Sequence, residues 1–209
     1  MLGTHDLAVF VISGLLLNIT PGADSLYIAT RSASQGGRAG VAAVVGIGLG
    51  CCVHIVAAAL GLSAVLATSA TAFTFVKLAG AAYLVYVGVS LLRTRSAPAQ
   101  SAAGVAPAPW RKIVAQGFLT NVLNPKVALF FLAFVPQFIL PSAENKPLAF
   151  VFLGSIFAFN GMLWCLFLAW AATRVGALGF GRRTALWFSR GVGALFVVLG
   201  LRLAFAERV

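Results

Sequence analysis

The chain has 209 residues, 61% of them hydrophobic and only 9% charged, where an ordinary soluble domain carries about 25% charged residues. So small a globule leaves much of its chain at the surface, and the polar residues here are too few to cover it, which excludes a water-soluble fold. The formal net charge of +11 does not point to nucleic acid. Most Lys and Arg residues stand in short stretches between apolar runs, where they serve as topology signals and as contacts to anionic headgroups of a lipid bilayer.

In chain order, six runs reach the roughly 17–25 apolar residues that a helix needs to cross about 30 Å of hydrocarbon. They are Leu7 to Ile28, Gly40 to Leu66, Ala72 to Leu92, Ile113 to Leu140, Leu148 to Thr173 and Leu186 to Phe205. Closed β-barrels show short alternating segments instead, so the expected fold class is an all-α integral membrane protein of six transmembrane helices. The segment from Met1 to Asp6 has no Lys or Arg, and the run after it is long, so the first run reads as a retained span rather than a secretory signal.

Basic residues are distributed unevenly between the runs. Arg31 and Arg38 follow the first, Arg93, Arg95, Arg111 and Lys112 the third, and Arg174, Arg182, Arg183 and Arg190 the fifth, against Lys146 and Arg208 on the other side. The positive-inside rule then places these three loops in the cytoplasm and both termini outside. The longest loop contains Ser96-Ala97-Pro98-Ala99-Gln100-Ser101 and Pro107-Ala108-Pro109, a flexible composition that cannot build a core. It divides the chain into a three-helix repeat at residues 1–92, a cytoplasmic linker at 93–112 and a second three-helix repeat at 113–209. An odd number of spans per half makes the repeats inverted in topology. Each half opens with a broken helix, at Thr20-Pro21-Gly22 and at Asn124-Pro125-Lys126, and the third helices share Lys77-x-x-Gly80 and Arg190-x-x-Gly193 spacings.

The paired breaks carry the chemistry. Pro21 has no N–H and Gly22 weakens the helix further, so carbonyls one turn earlier lose their partners within the membrane. Such a break is tolerated where it is buried in protein or lines a polar cavity, and Thr20 or Asn18 offers a local patch. Asp24 lies just beyond; a carboxylate in a span costs about 2.5–3.5 kcal/mol on insertion scales, so it needs a partner or a task, unless it caps the next segment at the interface. Lys126 occupies the matching place after Pro125, with Asn121 and Asn124 three residues apart on one face. Asp24 and Lys126 either neutralise each other or divide a zwitterion between them, the lysine and a helix N-terminus at its carboxylate and Asp24 at its ammonium or at a proton.

Other polar residues have plainer readings. Lys77 sits about a turn into the third run, where snorkelling to the headgroups accounts for it. Asn160 and Trp164 share a face and suit either a cavity wall or an interhelical amide bond, and Gly46, Gly48 and Gly50 allow close helix approach. Cys51 and His54 share a face next to Cys52, short of the four ligands of a closed metal site. An odd number of cysteines, Cys51, Cys52 and Cys165, suggests no disulfide framework. No Ser-His-Asp set, phosphate loop or acidic pair marks an enzyme, and nothing calls for a cofactor.

Three segments together resemble the LysE/RhtB family of amino-acid exporters over nearly the whole chain: Asn18-Ile-Thr-Pro21-Gly22-Ala23-Asp24, Lys77-Leu-Ala-Gly80-Ala-Ala-Tyr83-Leu-Val-Tyr-Val-Gly88, and Gly117-Phe-Leu-Thr-Asn121-Val-Leu-Asn124-Pro125-Lys126. One departure is visible, since the family pattern usually has a second proline where this chain has Ala23. The resemblance implies six helices in a bacterial cytoplasmic membrane and proton-driven export of small amino acids. It directs attention to Asn18, Pro21, Gly22, Asp24, Lys77, Asn121, Asn124, Pro125 and Lys126 as residues for substrate or protons.

Export of amino acids or related zwitterions by alternating access is therefore the leading expectation. A metal-ion exporter using Cys51, Cys52 and His54 stands as the alternative. A membrane thiol oxidoreductase is the third reading, weakened because neither broken helix contains a cysteine. A glycine-rich packing surface permits a homodimer without requiring one.

Overall fold

A computed structural model describes residues 2–62 and 106–175, with scattered positions from 74 to 93 and from 190 to 201. Among the described residues the chain is helical, and strand pairing is confined to one isolated bridge between Thr4 and Ile139. Lys77, most of the third and sixth expected spans and residues 94–105 of the linker lie outside the described residues, and with them the six-helix count and the repeat symmetry.

Helix α1 (Leu7–Ile19) and helix α2 (Ala23–Gln35) form the first span, bent by 51° at the Pro21 break. The second segment runs past the expected end at Ile28, down to Gln35. Helix α3 (Gly37–Ala57) continues into a π turn at Ala58–Leu62. Helix α4 (Trp110–Val122) and helix α5 (Pro125–Leu129) form a second bent span; α5 runs on through a π turn at Phe130–Phe134 and a 3-10 turn at Val135–Phe138, and the bend is 46°. Helix α6 (Lys146–Val175) crosses in one piece. Helices α3 and α6 are long and apolar enough to span a bilayer, and the two bent pairs bring the spans among the described residues to as many as four.

The two breaks differ in construction. At the second, Asn124 accepts a hydrogen bond from the Lys126 N–H on its own side chain at 3.0 Å and Pro125 occupies the first helical position, so α5 begins with a regular cap. At the first, Gly22 is extended and no side chain caps α2. Thr20 ends α1 by donating from both its backbone N–H and its hydroxyl to the Leu16 carbonyl, at 3.0 and 2.7 Å.

Glycine sets how closely α3 and α4 approach. A Cβ on Gly46 would strike the Val114 carbonyl and the Phe118 amide, one on Gly50 would lie 2.8 Å from Asn121 Cβ, and one on Gly117 would lie 2.8 Å from the Ala43 carbonyl. Backbone therefore packs on backbone, as the Gly-x-x-x-Gly spacing requires. These glycines are consumed in packing within the chain.

Two apolar clusters result. One gathers Phe10, Phe130, Phe131, Phe134, Phe138, Phe150 and Phe157, with Phe130 stacked on Phe157 at 4.3 Å. The other joins Ile28, Ala42, Ala43, Val44, Ile47, Ile113 and Ala169. The ends of the molecule sort by charge. Gly3 and His5 hydrogen-bond Leu140 and Phe138 at one end. At the other, Arg31 and Gln35 bond the carbonyls of Ala106 and Ala108, and Gly37 packs near Thr173. Arg31, Arg38, Arg111, Lys112 and Arg174 thus belong to one end, the two-sided distribution that the loop charges call for.

Gly46→Ala is expected to cost on the order of 1–3 kcal/mol or more, because the methyl group meets backbone that cannot move aside. Gly48→Ala meets only the terminal methyl of Met162 and is expected to cost much less. Melting temperatures of the two variants in detergent check this contrast.

Candidate functional site: a polar cavity where two broken helices meet

Between the two apolar clusters lies a cavity of about 50 Å³, room for a few waters at about 10–15 Å³ each. Both breaks contribute to it: Asn18, Asp24 and Ser25 from the first span, and Asn121, Lys126 and Val127 from the second. Val44, Ile47, Gly48 and Cys51 of α3 and Phe157, Ala158, Gly161, Met162 and Cys165 of α6 complete the wall. Asp24 is the one acidic residue among these lining side chains, and Lys126 the one basic residue.

Lys126 reaches across to the first break. Its Nζ donates to the Leu17 and Thr20 carbonyls, each at 3.0 Å. In an unbroken helix the Leu17 carbonyl would accept from the N–H of residue 21, which proline lacks, and the Thr20 carbonyl from that of residue 24. The ammonium of the second broken span thus replaces the hydrogen bonds that the first has lost. Gly22 makes room for it, since a Cβ there would sit 3.3 Å from Nζ.

Asp24 is held by the second break in turn. Asn121 Nδ2 donates to Asp24 Oδ2 at 2.9 Å, while Asp24 Oδ1 is buried without a hydrogen-bond partner. No ion pair joins Asp24 to Lys126 among the described residues; the lysine is spent on carbonyls, although it stands within electrostatic reach of the carboxylate, as does His54, and the Asn124 amide lies beside that carboxylate. Direct neutralisation is therefore replaced by an exchange of hydrogen bonds between the two breaks. Nor does Asp24 cap α2.

Asn121 is the hub. Besides holding Asp24 it is packed against Gly50, and its carbonyl is met by His54 Nε2 at 3.0 Å and by the Asn124 N–H at 2.9 Å. Asn18 donates to the Phe157 carbonyl at 3.3 Å and lies against Gly161, tying α1 to α6. The remaining expectations separate. Asn124 and Pro125 build the cap of α5 and do not line the cavity, and Pro21 and Gly22 shape the break. Asn160 and Trp164 are absent from the wall; they stand roughly 90–130° round α6 from the centre of the row of residues 157, 158, 161, 162 and 165, at about 100° per residue.

The metal reading does not survive the geometry. Cys51 is buried, Cys52 is exposed, and the His54 ring is engaged with the Asn121 carbonyl and stacked on Phe131. No three His, Cys, Asp or Glu side chains converge among the described residues.

A second network was hidden in the sequence. Arg31, counted there as a topology signal, is buried, and its Nη2 donates to Gln116 at 2.8 Å. Its Nη1 donates to Gln35 at 2.9 Å and to the Ala106 carbonyl at 3.2 Å. Tyr27 donates to the Ile113 carbonyl at 2.8 Å with the guanidinium over its ring. Asp24, Tyr27, Arg31 and Gln35 follow i, i+3, i+7 and i+11 spacing, so one polar stripe of α2 faces α4. That periodicity was the available signal.

Apolar helices around a polar cavity formed at two broken spans make this a multi-pass membrane transporter. A family model described as "LysE type translocator" matches residues 15–207, and the chain belongs to that family. It is 34% identical to an uncharacterized membrane protein of Pseudomonas aeruginosa, covering 98% of this chain and 97% of that one. It is 30% identical to a homoserine/homoserine lactone efflux protein of Salmonella typhimurium, with 95% of each chain covered. It is 25% identical to a leucine efflux protein of Salmonella typhimurium over 97% of this chain and 96% of the other. No solved structure matches.

Asn121→Ala leaves Asp24 without its donor and is expected to lose about 1.5–3 kcal/mol, the range for hydrogen bonds to charged groups. Asp24→Asn retains an acceptor oxygen for Asn121 and is expected to melt close to the wild type. Thermal melts of both proteins in detergent test the pair.

Proposed function

We propose that this chain exports small amino acids or closely related zwitterions across the bacterial cytoplasmic membrane, driven by the proton gradient. The observation that carries this reading is the cavity's pairing of one carboxylate, with a free buried oxygen, and one ammonium, contributed by opposite broken spans. A free amino acid carries the same two charges in the complementary sense. The efflux relatives named for homoserine and leucine support that class, because what those solutes share is the amino-acid core.

Asp24 holds either a proton or, once ionised, the charge of an ammonium group in the cavity, one at a time, which couples the two flows. Alternating access follows if the halves rock about the breaks. On this reading the Arg31, Tyr27 and Gln116 network closes the cytoplasmic end, and the aromatic cluster around Phe130 and Phe134 closes the outer one. The cavity walls that differ between relatives select the side chain, since one or two apolar groups change affinity by only about 1–3 kcal/mol.

Cells preloaded with amino acids and expressing the wild type are expected to release particular ones, homoserine and leucine tested first, faster than cells without it. An uncoupler is expected to abolish the difference, and Asp24→Asn, at equal membrane level, to reduce release to background. Unchanged release across a broad amino-acid panel would overturn the assignment.

A further inference from the structure

Lys126 is usefully compared with the ligand it would meet. Its Nζ is a primary ammonium, held by two backbone carbonyls at 3.0 Å each, at the edge of a cavity proposed to receive another primary ammonium. Those carbonyls are a standing vacancy of the first span: the Leu17 oxygen can never be satisfied by its own helix, because residue 21 is proline. Gly22, which has no Cβ to crowd Nζ, lets the lysine reach them. Asp24 Oδ1, buried and unpartnered, lies within electrostatic reach of the lysine.

We infer that Lys126 is a tethered surrogate for the solute: it fills the ammonium site of the empty transporter and is displaced when the primary ammonium of a transported molecule takes the Leu17 and Thr20 carbonyls. The exchange is close to balanced. One N–H donor replaces another at the same acceptors, and the displaced lysine has the free Asp24 oxygen to turn to, so neither carbonyls nor cation are stranded in a medium of low dielectric. The solute carboxylate then meets the released ammonium. A surrogate also keeps the empty protein from holding its cargo too tightly, because the lysine competes for the site at each release.

Competition of this kind lowers apparent affinity by the fraction of time the site is open. A carrier whose lysine fills the site for about nine-tenths of the time would bind roughly tenfold more weakly than one without it. Lys126 is therefore a specificity-determining residue for compounds bearing N–H donors, a role beyond neutralising charge. The inference rests on the cavity being the solute site, but its test does not require transport.

The probe is ethylammonium chloride, with tetramethylammonium chloride as the cation that has no N–H. Purified protein in detergent is titrated with each while the melting temperature is followed. Lys126→Met is expected to be stabilised by ethylammonium at roughly tenfold lower concentration than the wild type, and by tetramethylammonium not at all. Lys126→Gln, whose shorter amide retains a donor for the carbonyls, gives an intermediate response and serves if the Met variant is not recovered folded. Equal responses of variant and wild type, or equal effects of the two cations, would overturn the inference. In the release assay the Met variant is expected to show a lower maximum rate, because it also lacks the ammonium that meets the solute carboxylate. Selective ethylammonium binding in a protein that releases no amino acid would sink the export reading and keep the assignment of Lys126; normal export without that selectivity would do the reverse.

Discussion

A backbone carbonyl in the hydrocarbon of a membrane has no water to turn to, and leaving it unpaired costs several kcal/mol. Pro21 creates that condition by design of its ring, at a place where the chain also has to bend by 51°. The answer comes from 105 or so residues away in sequence, through the Nζ of Lys126 on the Leu17 and Thr20 carbonyls. The reciprocal bond, Asn121 to Asp24, fastens the second broken span to the first. Each break is thus completed by the other, and the cavity is the space enclosed by that exchange.

Everything that positions the exchange follows from how near the helices come. Gly46, Gly50 and Gly117 let α3 and α4 touch through their backbones, which brings Asn121 beneath Gly50 and within reach of both Asp24 and His54. Bulkier residues there would hold α4 away and leave a buried carboxylate unpaired. Aromatic packing at one end and the small Ala and Val residues at the other then grip the two halves of each bent span separately. A protein held at both ends around a polar waist has its apolar packing interrupted at that waist, and on the proposed reading that is where a transporter needs compliance.

Charge serves two purposes in this chain. Arg38, Arg111, Lys112 and Arg174 lie at the end expected to face the cytoplasm, where basic side chains suit lipid headgroups. Arg31 is drawn inward instead, bonded to Gln35, Gln116 and the Ala106 carbonyl. A guanidinium with several fixed donors tolerates burial when carbonyl and amide oxygens surround it, and this one ties the inner end of α2 to the start of α4.

Much was legible in the residues alone, because the bilayer imposes simple rules. Length and apolarity marked the spans, Pro21 and Pro125 marked the breaks, and the cost of burying charge singled out Asp24 and Lys126. Local rules reach no further than a helical turn. They showed that the carbonyls before Pro21 lacked partners but not that a lysine of another span supplies them. They placed Asn121 and Asn124 on one face, whereas the bend has Asn121 bond Asp24 and turns the Asn124 oxygen into a helix cap while its amide stays beside the carboxylate. They read Arg31 as a loop charge and left Asn160 and Trp164 between a cavity wall and helix packing. Sequence by itself determined which groups could not be left unsatisfied in a membrane; only the tertiary structure decided which partner satisfies each, because hydrogen bonds between spans depend on helix approach and rotation that distant glycines and aromatic side chains set.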